Sequence, residues 1–264
     1  MRLEGESGAA GWVAVGVSVI GTSHVARAMP CQDAHAGVLL ADGTMLLAVT
    51  DGAGSARLSA EGATHAAQVV IGWVASELAA GHPETEDAWH LLLCDAMDRT
   101  RVALEDLAAE MDGVAVRELA TTLLLAVVTP VTVATLQVGD GAIVLRAGNE
   151  LQVLSPPAVG EYVNETTFVT SADAAERVLT TVRASEPVDG LAMFTDGVQF
   201  LAIETRSNAA HGPFFAPLFA FAGQPEADPE ELTTMLSSDR VNELTDDDKT
   251  LVLLVRRERA AAGA

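Results

Sequence analysis

Basic side chains are scarce in this sequence of 264 residues: 15 Lys and Arg stand against 37 Asp and Glu, a formal charge of −22. Binding to nucleic acid or to an anionic membrane surface relies on Lys and Arg meeting phosphates, so neither is expected as a partner. Cysteine is almost missing. Cys31 and Cys94 alone can build neither a disulfide framework nor a structural zinc site. No run of about 18 apolar residues occurs, which predicts no membrane span. The polar, acidic stretch Met1 to Gly11 lacks the basic flank of a secretory signal, and a cytoplasmic protein is expected. Aromatics are only 4% while hydrophobic residues reach 49%, so Val, Leu, Ile and Ala must fill the core. With no internal repeat and no long linker, one domain is expected over residues 1–258, with 259–264 as a frayed tail.

Apolar periodicity supplies the elements. Residues 12–20 and 36–50 read as strands, the second stretch folding back at Asp42-Gly43, a strong hairpin signal between apolar runs. A helix is predicted over 58–79, where Ala63, Ala67, Val70, Ile71, Val74 and Leu78 share one face. A second covers 85–111, with Trp89, Leu93, Ala96, Thr100, Leu104, Leu107 and Met111 at three- and four-residue spacing. Strands follow at 119–129, 131–138, 142–147, 150–154, 177–183 and 190–195, the last two joined across Asp189-Gly190. Short helices near 213–221 and 229–238 precede a final strand at 249–256. Strand blocks broken by a helix pair do not alternate as a parallel βαβ fold does; they predict antiparallel sheets covered by helices, an α+β fold.

What the chain does have is acid at strand ends: Thr50-Asp51-Gly52, Thr195-Asp196-Gly197 and Asp246-Asp247-Asp248. Most Asp-Gly pairs are turns; Asp42-Gly43 and Asp189-Gly190 read as hairpin turns, and Asp112-Gly113 ends a helix. Asp51-Gly52 and Asp196-Gly197 differ, because no strand returns after them. The chain enters a small-residue loop, Ala53-Gly54-Ser55-Ala56, or an irregular segment, Val198-Gln199-Phe200. Glycine there lets the backbone approach a ligand, and its carbonyl can join the carboxylate on a cation. Carboxylates gathered without Cys or His make an oxygen-only site for hard divalent cations. Two such cations side by side activate a water and clamp a phosphate, so the chemistry reads as that of a metal-dependent phosphatase.

Five segments in order resemble the metal-dependent serine/threonine protein phosphatases of type 2C, the PPM family, in a bacterial branch. Gly21-Thr22-Ser23-His24 with Pro30-Cys31-Gln32-Asp33-Ala34 resembles the first motif, and Leu47 to Gly54 the first Asp-Gly motif. Ala120-Thr121-Thr122-Leu123 with Val138-Gly139-Asp140-Gly141 resembles the central hairpin. Met193 to Val198 resembles the late Asp-Gly motif, and Asp247-Asp248-Lys249-Thr250 the closing one; Gly160 to Thr166 is also similar to that branch. The resemblance implies a four-layer α-β-β-α sandwich of two mainly antiparallel sheets flanked by helices, with two Mn²⁺ or Mg²⁺ ions between the sheets. It implies a catalytic set of Asp51, Asp196 and Asp247: Asp51 bridges both ions, the Gly52 carbonyl binds one, and Asp196 and Asp247 share one. Asp33 reaches the other through water, and Asp140 supports a third, weaker ion. A water bridging the ions attacks phosphoserine or phosphothreonine of a phosphoprotein, and no phosphoenzyme forms. A cognate kinase or its target is the implied physiological partner.

The chain departs from the family at several positions. Ala53 replaces the His often found after the first Asp-Gly, which leaves His24 or a metal-bound water to protonate the leaving group. Ala28 stands at the place of the phosphate-gripping Arg, with Arg27 beside it and Arg57 past the metal loop as substitutes; Phe200 and Gln32 replace acidic residues. The alternative is a catalytically weak or inactive module that binds metal and phosphoprotein. Other chemistries lack their residues. Six positions after Cys31 and Cys94 stand Gly37 and Thr100, not the Arg of a thiol phosphatase, and no H-E-x-x-H or nucleotide-binding glycine loop occurs.

Overall fold

The computed structural model describes residues 1–4, 11–154 and 166–257; Gly160 to Glu165 and the tail at 259–264 lie outside them. The elements run β1 (Arg2–Glu4), β2 (Gly11–Val19), α1 (Thr22–Ala26), β3 (Asp33–Leu39), β4 (Met45–Asp51), α2 (Ser59–Ala80) and α3 (Glu86–Glu110). A 3₁₀ turn (Val116–Leu119) leads to β5 (Leu123–Val128), β6 (Thr132–Val138), β7 (Ala142–Ala147) and β8 (Glu150–Val153). Then come α4 (Ala174–Arg177), β9 (Leu179–Ala184), β10 (Gly190–Phe194), α5 (Asp196–Ala202), α6 (Gly212–Ala222), α7 (Pro229–Leu236), α8 (Asp239–Asn242) and β11 (Lys249–Arg257).

Two antiparallel sheets result, ordered β1-β2-β11-β10-β7-β8 and β3-β4-β5-β6-β9. Side-chain alternation along each strand sends every second residue to the opposite face. Leu46 and Ala48 pack under α2 and α3, against Val70, Val74 and Leu93. Met45, Leu47 and Val49 face the other way and meet Met193, Val252 and Leu254 of the second sheet. The far face of that sheet, with Phe194, Leu251 and Leu253, is covered by Phe215, Phe219 and Leu232 of α6 and α7. The four layers and the antiparallel pairing match the sequence expectation. Among the described residues, no helix is long and apolar enough to cross a membrane.

Two local expectations fail. Residues 198–200 are helical, because α5 runs on from Asp196 to Ala202, about two turns. Asp189-Gly190 is not a hairpin turn, since β9 pairs with β6 whereas β10 pairs with β7 and β11. The connection crosses from one sheet to the other. Asp189 earns its place by long-range bonds instead: Arg146 Nε donates to it at 2.7 Å and the Gly148 amide at 3.2 Å, which closes the β7–β8 turn.

Helix α2 contains two glycines in opposite situations. A Cβ on Gly62 would lie 2.2 Å from the Leu119 carbonyl oxygen, whereas one on Gly72 would meet nothing within 4 Å. Gly62→Ala is therefore expected to destabilise the fold by about 2–3 kcal/mol through overpacking. Gly72→Ala is expected to stabilise it by ~0.5–1 kcal/mol through helix propensity. Urea unfolding of both variants checks the pair; equal effects would contradict this packing.

Candidate active site

The interface between the sheets is apolar over most of its length and turns polar at one end. Along β4 the inward series Met45, Leu47, Val49 continues to Asp51, and the register places Asp33 of β3 directly opposite Asp51. From the other sheet, Thr195 Oγ1 donates to Asp33 Oδ2 at 2.7 Å and accepts from the Thr250 amide at 3.0 Å. The Thr250 hydroxyl donates to Ser18 Oγ at 2.7 Å, and Ser18 Oγ lies 2.8 Å from His35 Nδ1. Hydroxyls thus fasten the sheets together where the hydrophobic contacts end.

Three carboxylates converge there. Oxygens of Asp51, Asp140 and Asp196 all lie within 4.8 Å of one another, a spacing that could hold a cation. Asp140 sits in the turn between β6 and β7, one strand in each sheet, and accepts from Thr166 Oγ1 at 2.6 Å. Backbone bonds fix Asp51: its amide donates to Thr122 Oγ1 at 3.0 Å, and its carbonyl accepts from the Thr122 amide at 2.8 Å. Asp33 and Asp247 stand outside this group of three, but their charges act on Asp51.

Burial first, then these neighbours, raises the acids. Asp33 is pushed up to about 8 by burial, against the pull of the Thr195 hydroxyl bond and with Asp248 and Asp196 adding to the rise. Burial and the Asp33, Asp196, Asp140 and Asp247 charges hold Asp51 well above the usual carboxylate range. Asp196 is pushed to about 6 by burial and by Asp140 and Asp247. None of Asp51, Asp140 and Asp196 forms an ion pair with Lys, Arg or His among the described residues. Carboxylates crowded without a positive partner are the donor set that a hard divalent cation fits.

The glycines after Asp51 and Asp196 also have a packing role. A Cβ on Gly52 would lie 2.6 Å from the Ser59 carbonyl oxygen, and one on Gly197 would lie 1.9 Å from the Asp248 carbonyl oxygen. Both glycines let backbone approach backbone, so each acid is held against a second element. Asp248, passed over in the sequence, is the hub of this arrangement. Its buried carboxylate accepts from the Gly21 amide at 2.6 Å, the Gln32 amide at 2.5 Å and His24 Nδ1 at 2.9 Å. It thereby ties the loop that ends at Asp33 to the start of β11. His24 is 5% exposed and its Nδ1 is taken up by this bond, so it anchors the loop. No local pattern distinguishes Asp248 from its two acidic neighbours.

The two candidate phosphate-binding arginines diverge. Arg27 is exposed at the end of α1 and makes no side-chain hydrogen bond among the described residues. Arg57 donates to Glu118 Oε2 at 2.8 Å and lines a groove of about 410 Å³ with Ala53, Ser55, Arg117, Thr170 and Ser171.

These shifts set a pH dependence for the cation-free protein. Asp33 titrates near 3.8 when unfolded and about 8 when folded, so between these values the folded chain holds a proton that the unfolded chain has lost. Stability from this group falls as pH rises through that window. His35, lowered from 6.5 to about 4 by burial, has the opposite sign, but its effect is complete by about pH 6.5. The amino terminus, lowered from 8.0 by burial, also opposes. Comparison with Asp33→Asn isolates the acid. In EDTA, the Tm of the wild type relative to Asp33→Asn is expected to fall by a few degrees from pH 6 to 8, and parallel profiles would contradict the assignment.

Known proteins resemble this chain over most of its length. The family model described as Protein phosphatase 2C matches residues 20–237. Serine/threonine-protein phosphatase 3 of Escherichia coli (strain K12) is 39% identical over 258 residues, covering 94% of this chain and 99% of that protein. Among solved structures, the serine/threonine phosphatase Stp1 from Staphylococcus aureus has a TM-score of 0.65 at 14% identity, covering 97% of this chain and all of that one (100%). RsbX, solved in complex with magnesium, has a TM-score of 0.57 at 14% identity, covering 97% of this chain and 98% of its own. At that identity the two structures speak for the fold alone. The match to the family model and the extent of the Escherichia coli relative place the chain in the protein phosphatase 2C family, and it is a phosphatase of that type.

Proposed function

We propose that this phosphatase removes phosphate from phosphoserine and phosphothreonine in proteins, with two Mn²⁺ or Mg²⁺ ions held at the carboxylate cluster. The carrying observation is the convergence of Asp51, Asp140 and Asp196 within 4.8 Å and without a basic partner among the described residues. Asp51, Asp196 and Asp247 are the principal ligands in this reading, joined by the Gly52 carbonyl. Asp33 acts from the margin through water, and Asp140 belongs to a third, weaker ion at the shared cluster. Bound cations would supply an activated water as nucleophile and neutralise charge on the phosphate oxygens.

The chain's own groups do the rest. Raised acids give up protons when a cation arrives, so occupancy rises with pH. Thr195, Thr122 and Thr166 hold Asp33, Asp51 and Asp140 in place through the bonds described above. Of the two arginines, Arg57 is the phosphate ligand favoured, because it lines the groove that begins at Ala53. One domain over residues 1–258, a cytoplasmic location and a cognate kinase or its target as partner belong to the same reading. The magnesium complex of RsbX and the names of the bacterial relatives support it.

The deciding experiment is hydrolysis of a phosphothreonine peptide in EDTA, Mg²⁺ or Mn²⁺, beside Asp51→Asn and Asp196→Asn. Turnover is expected only with metal. Each variant is expected to lose more than the ~10–100-fold typical of an outer-shell partner. Mn²⁺ binding with no turnover by the wild type would overturn the hydrolytic reading and favour the metal- and phosphoprotein-binding alternative.

A further inference from the structure

The groove beside the carboxylates holds a cation for which the chemistry above has no use. Its floor is continuous with the site: the Ala53 amide donates to the Ala120 carbonyl at 2.9 Å, one residue beyond the bridge between Gly52 and Thr121. Two residues of extended chain span about 7 Å, so the groove opens about one to two peptide residues from Asp51. Its opposite wall is also tied to the site. The Val169 amide donates to the Thr121 carbonyl at 2.8 Å, and Thr166, three residues earlier, bonds Asp140. Phe168, Thr170 and Ser171 form that wall.

The charges in the groove are unequal in their commitments. Glu118 is spent, since Oε1 accepts from the Ala115 amide at 3.2 Å and Oε2 from Arg57 at 2.8 Å. Arg117 lines the groove and is exposed. Its guanidinium makes no ion pair among the described residues. On a chain of charge −22, two of only 15 basic residues stand together in this one groove. A guanidinium presents donors in a planar fork that matches a carboxylate.

We propose that this groove is a substrate subsite that takes an acidic side chain flanking the phosphorylated residue, with Arg117 as its specificity-determining residue. The inference rests on the phosphoprotein reading above. A phosphopeptide seated with its phosphate at the carboxylate cluster would lay its neighbouring residues between Ala53 and Thr170. An Asp or Glu there would meet Arg117, and the Ser55, Thr170 and Ser171 hydroxyls would offer further polar partners. A basic flanking residue would be repelled. Recognition of this kind separates one phosphoprotein from another without altering the hydrolytic step.

The test is a ratio. In Mn²⁺, kcat/KM is measured for phosphothreonine peptides with Glu, Ala or Lys at each of the three positions on either side of the phosphoresidue. At one or two of these positions the wild type is expected to prefer Glu over Ala about tenfold, the size of one good charged contact. Arg117→Ala should bring that ratio close to one, and Arg117→Glu should invert it toward Lys. A variant that merely disturbs the fold lowers both peptides together and leaves the ratio alone. A wild type with no acidic preference at any position, or ratios unchanged in both variants, overturns the subsite while leaving phosphopeptide hydrolysis standing. Absence of metal-dependent turnover on every peptide overturns the phosphoprotein reading and the subsite with it.

Discussion

Carboxylates from two different sheets are brought to one end of an apolar interface, and everything else in the molecule accommodates that. Asp33 and Asp51 come from the five-stranded sheet, Asp196 and Asp247 from the ends of the central strands β10 and β11 of the six-stranded one, and Asp140 from the turn between the sheets. Closing the sandwich buries Val49, Met193 and Val252, and the same movement pushes these acids together. The hydrophobic gain therefore drives an electrostatically unfavourable cluster into place. The weakened acidity of Asp33, Asp51 and Asp196 is the mark of that conflict. A cation bound there would resolve it, and a phosphatase chemistry and a stable fold could then share one set of residues.

Holding such a cluster needs rigid backing. Thr195, Thr250, Ser18 and His35 form a hydroxyl chain that fastens the sheets at the polar end. Asp248 gathers the Gly21–Gln32 loop behind Asp33, and Gly197 lets α5 sit against the same backbone. The Asp51 loop is braced by Thr121 and Thr122 on one side and by Ser59 of α2 on the other. Each acid thus has a short, well-bonded path back to the core.

Much of this was legible before any coordinates. The α2 stripe of Ala63, Ala67, Val70, Ile71, Val74 and Leu78 is buried throughout, because a long helix repeats its pattern often enough to be read. Asp51 and Asp196 stood out because each ended an apolar strand with no returning partner. What escaped were features decided by distant segments. The seven residues of α5 are too few to establish a period, so the segment after Asp196-Gly197 reads as irregular. Asp189 resembled a hairpin because the sheet to which a strand belongs is not written in its own residues. Asp248 was indistinguishable from Asp246 and Asp247, since its role comes from the amides of Gly21 and Gln32 over two hundred residues away in sequence.

The turn carrying Asp140 joins strands of opposite sheets, so one acid of the cluster belongs to neither sheet alone. The separation of the others is set by how far apart the sheets lie, and that distance is the depth of the Leu47, Leu124, Met193 and Leu254 layer. Side-chain volume in that layer is therefore a gauge block for the carboxylate cluster. Interiors pack too densely to stretch smoothly, so a methylene gained or lost there moves the jaws of the cleft in a discrete step. Residues remote from every carboxylate set the calibre of the cleft between them.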